Sequence, residues 1–290
     1  MKPPVLDYRR PASVVEALEL LADDTIEAKV IAGGQSLTPM LNLRLARPEL
    51  LVDIGRLPGL RYIAEDDGGL RVGALARHDQ FEQYPSPLGG FEILREVAPL
   101  IGHHPIRTRG TIGGSLAHAD GAAEWCLLAV LLDAEVVARS VRGERTIVAG
   151  ELFQGLFTTA LEEDELIVEV RFPRPRPHAA LEEFARRHGD FAIVAVAVAF
   201  DLDGDRMGDP RVVIGGVSSA PQRCEEAESV LDGARLTRDT LTAAGSAAAG
   251  SVDPPGDLHA TSEVRRRMVD NLLRRAISRA GRLEELSHAG

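Results

Sequence analysis

The sequence has few of the residues from which metal and iron–sulfur sites are built. Its 290 residues include only two cysteines, Cys126 and Cys224. A disulfide framework needs several paired cysteines, and an iron–sulfur cluster is usually held by four thiolates. We therefore expect two reduced thiols in or near a core. The histidines that invite a metal site are His103, His104 and His118. Adjacent residues cannot point the same way on a helix or strand, and we predict no metal ligand.

Basic residues and long apolar runs are also scarce. Lysine and arginine total 33 against 44 aspartates and glutamates, which gives a formal net charge of −11. This balance disfavours non-specific binding to nucleic acid and docking on anionic membranes. The longest apolar run, around residues 191–200, is too short to span a bilayer. The opening residues lack the apolar segment of a secretory signal, and we predict a cytoplasmic protein.

The sequence does contain enough apolar material for two domains. Apolar residues make up 44% of the chain, which is typical of globular proteins. A proline-rich stretch at 173–177 favours an extended linker. We predict a first domain over 1–175, with parts over about 1–56 and 57–175, and a second domain over 176–290. The arginines around the linker are expected to be solvated: Arg171, Arg174, Arg176 and Arg186.

Periodicity and turn signals predict alternating helix and strand in the opening segment. A capping box at Ser13 and Glu16 begins a helix, because each side chain can satisfy a free backbone N–H. Strands are predicted at 29–31 and 50–54. The turn Asp66-Asp67-Gly68-Gly69 predicts a hairpin, and an apolar helix is predicted over 122–132.

The second domain is predicted to run strands first and helices afterwards. A hairpin joins 191–201 to 211–218, and helices follow near 223–231, 237–249 and 261–280. The last helix carries a predicted apolar stripe: Val264, Met268, Leu272 and Leu273. Its arginines are expected to be solvated: Arg265, Arg266, Arg274 and Arg275. This order of elements indicates an α+β arrangement.

Two glycine-rich segments carry the functional signal. The first, Ala32-Gly33-Gly34-Gln35-Ser36-Leu37, directly follows a predicted strand. Glycine permits positive φ angles and close approach of a ligand. Successive free N–H groups in such a turn form a concave nest that suits a phosphate or diphosphate. A second segment of this kind, Thr111-Ile112-Gly113-Gly114-Ser115, suggests that one extended anionic ligand is held at two points. The first segment does not fit Gly-x-Gly-x-x-Gly, and neither segment has the Gly-Lys-Ser/Thr of a P-loop.

Three segments resemble a known family. Residues 32–48 resemble the first flavin motif of the FAD-binding medium subunit of molybdenum hydroxylases, of the carbon monoxide dehydrogenase and xanthine dehydrogenase types. Residues 111–120 resemble the second flavin motif, and residues 186–192 resemble the entry to the C-terminal domain. The resemblance covers essentially the whole chain. It implies an α+β fold, with a two-part FAD-binding domain of the vanillyl-alcohol-oxidase (PCMH) type and a small α+β C-terminal domain of the carbon monoxide dehydrogenase flavoprotein type.

The resemblance also implies contacts with FAD. Residues of the first segment would bind the diphosphate through backbone N–H groups or flank it: Ala32, Gly33, Gly34, Gln35, Ser36 and Leu37. Residues of the second segment, and those just after it, would meet the cofactor from the other side and follow its phosphate and ribityl path: Thr111, Gly114, Ser115, His118, Asp120 and Glu124. Phe191 falls where the family often has an aromatic residue close to the isoalloxazine ring.

The sequence departs from its relatives at two of these places. Glu124 stands where many relatives have aspartate, so a contact with a ribityl hydroxyl would need a longer arm. Glu183 falls near a position that is often lysine, which removes a cation expected near the flavin. Relatives of the benzoyl-CoA reductase type carry a cysteine-bearing iron–sulfur insertion, which two cysteines cannot supply.

The resemblance implies an electron-transfer flavoprotein with no catalytic residue of its own. A molybdenum subunit would oxidise the substrate, and electrons would pass through a [2Fe–2S] subunit to FAD in this chain and on to an external acceptor. The implied partners are the [2Fe–2S] small subunit and the molybdopterin-binding large subunit, assembled as a dimer of heterotrimers. The sequence names neither the substrate nor the acceptor.

Two other functions stay open. A stand-alone flavin oxidase would need its own substrate cap and commonly a flavin-tethering histidine, in a loop where this chain has Gln35. A flavin-free assembly subunit would have no use for the glycine segments, and both are intact.

Overall fold

A small parallel sheet forms the first unit of the protein, whose computed structural model describes residues 2–66, 68–84 and 89–283. The unit contains strands β1 (Asp7–Arg9), β2 (Ala28–Ile31) and β3 (Leu50–Asp53), with helices α1 (Val14–Leu21) and α2 (Leu37–Asn42). Strand β3 lies between β1 and β2 and runs parallel to both. The carboxyl ends of β2 and β3 therefore meet at one edge of the sheet.

Helix α1 begins where its capping residues satisfy free N–H groups. The Ser13 side chain accepts a hydrogen bond from the backbone N–H of Glu16 at 3.1 Å, and the Glu16 carboxylate accepts one from the Ala12 N–H at 2.7 Å. The predicted capping box is confirmed, although the carboxylate reaches Ala12 rather than the N–H of Ser13. Leu18 and Leu21 then enter the core shared with β3.

The second unit is an antiparallel five-stranded sheet with helices packed on it. Its strands are β4 (Ile63–Asp66), β5 (Gly69–Gly73), β6 (Glu135–Ser140), β7 (Gly143–Val148) and β10 (Leu166–Phe172), in the order β4-β5-β10-β6-β7. A small hairpin joins β8 (Phe153–Gly155) to β9 (Thr158–Thr159), and the helices are α3 (His78–Gln83), α4 (Glu92–Val97), α5 (His104–Arg107), α6 (Ile112–His118), α7 (Glu124–Leu131) and α8 (Ala149–Leu152). The predicted hairpin forms between β4 and β5, and Asp67 of its turn lies outside the described residues.

The third unit is an antiparallel sheet covered by three helices. It contains β11 (His178–Phe184), β12 (Val194–Asp203), β13 (Arg206–Gly215), β14 (Gln222–Arg223), α9 (Glu225–Leu231), α10 (Arg238–Ser251) and α11 (Ser262–Ala280). Strand β12 alternates valine and alanine. Its valines and Phe200 face the core under the helices, whereas its alanines belong to the core around α7. Small side chains on that face let α7, which is apolar on all sides, approach the sheet closely.

Two arginines predicted to be solvated are buried instead. Arg176 is 3% exposed, and its guanidinium binds the Asp209 carboxylate at 2.8 Å and the Asp209 carbonyl oxygen at 3.1 Å. Arg265 is also buried and donates to the carbonyl oxygens of Ile193 and Gly216. The prediction of a solvated face is wrong at both positions, because a buried guanidinium with this many acceptors ties distant segments together. Within the described ranges, no helix is long and apolar enough to cross a membrane.

The apolar stripe of α11 is shifted from its predicted position. Leu272 and Leu273 are buried as predicted, but Val264 is 38% exposed and Val269 is fully buried in its place. Met268 is only partly buried against the same core. The buried guanidinium of Arg265 occupies the surface that the first turn of the helix presents to the sheet, and this turns Val264 outward.

Candidate functional site

A cavity of about 520 Å³ opens at the carboxyl edge of the parallel sheet. In open α/β sheets this edge is the usual place for ligands. The lining combines the first glycine segment with residues of β1, β2, β3 and α2 and a residue shortly before the second segment: Tyr8, Ile31, Ala32, Gly33, Gly34, Gln35, Thr38, Pro39, Asn42, Asp53 and Arg109. We call residues 32–37 the first glycine loop and residues 111–115 the second glycine motif.

The first glycine loop requires its glycines for two different reasons. Gly34 has φ 71°, a left-handed conformation that other residues adopt at a cost. A Cβ atom on Gly33 would overlap the carbonyl oxygen of Arg109 and lie 2.9 Å from the Gly110 Cα. The backbones of residues 33 and 109–110 are therefore in direct contact, and a side chain at position 33 would push them apart.

The first glycine loop also has free hydrogen-bond donors. Within the described residues, the backbone N–H groups of Gly33, Gly34, Gln35 and Ser36 donate to no other group. The loop is held by other bonds: the Gln35 side-chain amide donates to the Gly33 carbonyl oxygen at 2.8 Å, and the N–H of Thr38 donates to the Gly34 carbonyl oxygen at 3.0 Å. Free donors on a fixed, concave backbone fit an anionic ligand such as a diphosphate.

The second glycine motif is built differently. Thr111 is the N-cap of α6, and its hydroxyl oxygen accepts from the N–H of Gly114 at 3.1 Å. The N–H groups of Ile112 and Gly113 donate to the carbonyl oxygens of Ala76 and Ala74. A Cβ on Gly113 would lie 2.7 Å from the Ala74 carbonyl oxygen. This motif therefore needs Gly113 for packing, and the N–H groups of residues 112–115 are engaged by the protein.

The backbone just before the second glycine motif is fixed by contacts with the buried side chain and backbone of His78. The Gly110 carbonyl oxygen accepts from the N–H of His78, and a Cβ on Gly110 would overlap the His78 ring. His78 is buried and accepts from the indole N–H of Trp125 at 2.8 Å. Burial lowers the pKa of His78 to about 4, so the ring is neutral at physiological pH. His78 is thus a packing residue that fixes the position of residues 109–111.

Residues after the second glycine motif lie along one path at the end of α6. Ser115 and His118 are half-buried on that helix, and the His118 ring stacks on Phe157 with 4.8 Å between ring centroids. Burial lowers the pKa of His118. The Asp120 carboxylate accepts from the N–H of Ala122 at 2.9 Å, which shapes the turn into α7.

The two residues that depart from the family pattern lie within electrostatic range of each other. Burial, together with the charges of Glu183 and Asp120, raises the pKa of Glu124 to about 8. Burial also raises the pKa of Glu183 to about 7, assisted by the charge of Glu182. One carboxyl oxygen of Glu183 is buried without a hydrogen-bond partner in the described part of the chain. Glu124 is therefore mostly protonated at neutral pH, and a protonated carboxyl group can donate a hydrogen bond.

Phe191 is placed apart from the cavity. Its side chain is 71% exposed in the loop between β11 and β12, so it contributes little to the core. An aromatic side chain left this exposed is available to cover a ligand or a partner. The structure thus brings the two glycine segments together and leaves Phe191 on the surface of the third unit.

Sequence reasoning missed several residues that line the cavity, and three of them carry polar or charged groups that matter here: Tyr8, Asp53 and Arg109. Tyr8 donates a short hydrogen bond to Asp53, which also accepts from Arg10 at 3.2 Å and from the N–H of Gly55 at 2.9 Å. The position of Asp53 at the end of a predicted strand could have indicated it, because strand ends meet at the ligand edge of a parallel sheet. Arg109 lies two residues before the second glycine motif. For Tyr8, on a three-residue exposed strand, the sequence carries no signal.

Neither cysteine lines the cavity. Cys126 and Cys224 are both free and buried, as predicted. Across the residues that the structure describes, no group of three or more histidine, cysteine, aspartate or glutamate side chains is arranged to hold a metal ion. The groups that converge on the cavity are backbone donors, hydroxyls, one carboxylate and one guanidinium.

An open donor nest at the carboxyl edge of a parallel sheet, joined to an antiparallel sheet, defines a protein that binds an extended phosphate-containing ligand. Residues 4–175 match the model of the FAD binding domain in molybdopterin dehydrogenase, and residues 179–280 match the CO dehydrogenase flavoprotein C-terminal domain. The chain belongs to this family of FAD-binding oxidoreductase subunits, and its cofactor is FAD. The predicted α+β fold with these two kinds of domain is confirmed.

Relatives of the chain are similar over nearly their whole length. It is 44% identical over 97% of its length to the 6-hydroxypseudooxynicotine dehydrogenase complex subunit alpha of Paenarthrobacter nicotinovorans, covering 96% of that protein. It is 40% identical to the nicotine 6-hydroxylase medium subunit of the same organism, over 97% of this chain and 99% of that protein. Its structure matches carbon monoxide dehydrogenase from Hydrogenophaga pseudoflava with a TM-score of 0.93 and 34% identity, over 97% and 99% of the two chains.

Proposed function

We propose that this chain is the electron-transfer subunit of a molybdenum-containing hydroxylase or dehydrogenase complex. It would receive electrons from a [2Fe–2S] small subunit, while a molybdopterin-binding large subunit oxidises the substrate, and pass them to an external acceptor. The observation that carries the proposal is the set of four backbone N–H groups in the first glycine loop, at residues 33–36, that have no partner among the described residues. Three of these residues line the cavity. The relatives named as medium subunits and dehydrogenase subunits support assembly in a complex. A dimer of heterotrimers and a cytoplasmic location remain predictions.

The residues of the site are proposed to contact different parts of FAD. FAD supplies the redox chemistry when bound, and the protein binds and orients it. The first glycine loop holds the diphosphate through the N–H groups of residues 33–36, with Ala32 and Leu37 flanking. The remaining proposed contacts come from the second glycine motif and the residues after it, and from the third unit: Thr111, Gly114, Ser115, His118, Asp120, Glu124 and Phe191.

The protonation states of His118 and Glu124 support a role in binding the cofactor. His118 is stacked on Phe157, and burial lowers its pKa, so it is a poor cation at neutral pH. Glu124 holds its proton in the same range and can donate to a hydroxyl or carbonyl oxygen. We also propose that the boundary between the FAD-binding and C-terminal domains lies at residues 175–176.

The proposal is tested with a matched pair of glycine variants. Gly34→Val places a side chain in the nest at φ 71°, 2.9 Å from the Thr38 hydroxyl. Gly233→Val imposes the same backbone strain at φ 69° in open space, far along the chain in the third unit. We expect flavin absorption to be lost in the first variant and kept in the second. Both proteins should remain folded by circular dichroism.

The outcomes separate the competing functions. Gly34→Val protein that keeps its FAD would show that the site lies elsewhere. If wild-type protein binds no FAD, co-expression with the [2Fe–2S] subunit decides between a site completed by its partner and a flavin-free assembly subunit. Reduction of bound flavin by a small alcohol or amine, without partner subunits, would favour a stand-alone oxidase.

A further inference from the structure

The cavity at the first glycine loop holds one basic side chain. Among the residues that line it, only Asp53 and Arg109 carry a charge at neutral pH. Asp53 is already balanced, because it accepts from Arg10, Tyr8 and the N–H of Gly55. These bonds lower the pKa of Asp53 despite its partial burial, so it stays ionised and occupied. Arg109 has no such balance.

The guanidinium of Arg109 is free while its backbone is fixed. Throughout residues 2–66, 68–84 and 89–283, no group forms a hydrogen bond or ion pair with this side chain, which is exposed toward solvent. The backbone is held on both sides: the N–H of Arg109 donates to the Ile106 carbonyl oxygen at 3.1 Å, and the Arg109 carbonyl oxygen lies against Gly33. The guanidinium therefore starts from a constrained point beside the nest.

Other arginines of this chain show what is unusual here. The chain has a net charge of −11, and many of its arginines find a carboxylate; Arg145, for example, binds Glu165 through two nitrogens. Among the described residues, Arg109 and the four N–H groups of the first glycine loop are hydrogen-bond donors without a partner, and all of them suit an anionic ligand. Both kinds of donor suit phosphate oxygens, and a planar guanidinium can bind two of them at once.

We propose that Arg109 is a specificity residue that clamps the diphosphate of FAD against the first glycine loop. The inference rests on the proposed site and adds to it a charged group that selects a dinucleotide over flavins without a diphosphate. The backbone nest provides partial charges, and Arg109 provides the full positive charge that a doubly anionic diphosphate needs. Riboflavin, which has no phosphate, gains nothing from this residue.

The test compares three arginine variants. Arg109→Gln removes the charge and keeps most of the side-chain length. Arg109→Lys keeps the charge but cannot make the bidentate contact of a planar guanidinium. Arg238→Gln is the matched control, because Arg238 is also exposed and without a described partner but lies on α10 of the third unit. The proteins are the full-length chain, or the assembly purified through a tag on this chain if the separate chain retains no flavin.

The measurements are FAD and riboflavin affinity by fluorescence quenching, and the rate of FAD loss at increasing sodium chloride. We expect Arg109→Gln to weaken FAD binding about tenfold to a hundredfold, the usual effect of losing a charge-assisted contact. The salt dependence of FAD loss should flatten in this variant. Arg109→Lys should recover part of the affinity, and Arg238→Gln should match wild type. Thermal unfolding of flavin-free protein should be unchanged in all three.

Two results would overturn the inference. One is FAD affinity within about twofold of wild type in Arg109→Gln, with an unchanged salt dependence. The other is an equal loss of FAD and riboflavin affinity, which would mean that the residue acts on the flavin end or on the fold. Failure of the proposed site is distinguishable, because then Gly34→Val would keep its FAD whatever Arg109 does.

Discussion

The first glycine loop and the second glycine motif share a Gly-Gly pair, yet they use it in opposite ways. In the first, Gly34 turns the backbone, and four N–H groups of the loop have no partner in the part of the chain that the structure describes. In the second, Gly113 lets α6 lie against Ala74, and the N–H groups of residues 112–115 are bonded within the protein. One motif is open to a ligand, and the other supports the surface on which the first rests.

The difference shows that the role of a glycine pair depends on whether the neighbouring backbone N–H groups are hydrogen-bonded, and that the sequence of the pair alone does not reveal it. Where nearby N–H groups are engaged, the glycine serves close packing, and a substitution should damage the fold. Where they are free, the glycine serves the ligand, and a substitution should damage binding. The variants below test this division in order of decreasing effect on stability.

Replacing Gly113 should have the largest effect. A Cβ there would lie 2.7 Å from both the Ala74 carbonyl oxygen and the Ala74 Cβ. We expect Gly113→Val to lower the free energy of unfolding by about 3 kcal/mol or more, because neither backbone can move without disturbing the core. Urea denaturation of the flavin-free protein measures this. Equal stability of Gly113→Val and Gly34→Val would break the comparison.

Replacing Glu124 should change how stability depends on pH. Its pKa is about 8 in the folded chain and about 4.5 as a free group. Between these values the folded chain keeps a proton that the unfolded chain has lost, so stability falls as pH rises. Glu124→Gln should abolish this part of the decline, a difference of about 3 to 4 kcal/mol between pH 5 and 8. Denaturation midpoints across that range provide the measurement.

The control for this change is Glu225→Gln, an exposed glutamate in the first turn of α9. It should leave the pH profile as it is in wild type. A profile of Glu124→Gln parallel to that of wild type would mean that the carboxyl group is ionised in the folded protein.

Replacing the capping residues should have the smallest effect. Thr111 bonds the N–H of Gly114 with its side chain, whereas Ser36, in the corresponding place before α2, makes no such bond. We expect Thr111→Ala to cost about 1 kcal/mol of stability and Thr111→Ser to restore most of it. Ser36→Ala should be close to neutral. Thermal unfolding of the three variants is sufficient, and a large loss in Ser36→Ala would contradict the assignment of an uncapped first loop.

Local signals in the sequence predicted much of this architecture. The capping box at Ser13 and Glu16 acts over a few residues, so it could be identified directly. The free donors of the first glycine loop follow from two glycines after a strand. The resemblance to the family supplied the order of the domains and the cofactor, which no local pattern contains.

Contacts between distant residues were the ones that could not be predicted. Arg176 is buried because Asp209 approaches it from another strand, and Arg265 because two carbonyl oxygens converge on it. Arginine next to proline or on a polar helix face is ordinarily solvated, so the sequence favoured that interpretation. Tyr8 and Asp53 meet only through the pairing of β1 with β3.

The contact between Gly33 and the Arg109 carbonyl oxygen means that the two sides of the site are packed together in the fold. Two segments far apart in the chain are in direct contact there. Folding itself has closed the long loop between them, so binding loses little further chain entropy in bringing them together. The diphosphate subsite is therefore preorganised, and the affinity for the cofactor depends mainly on the contacts between cofactor and protein.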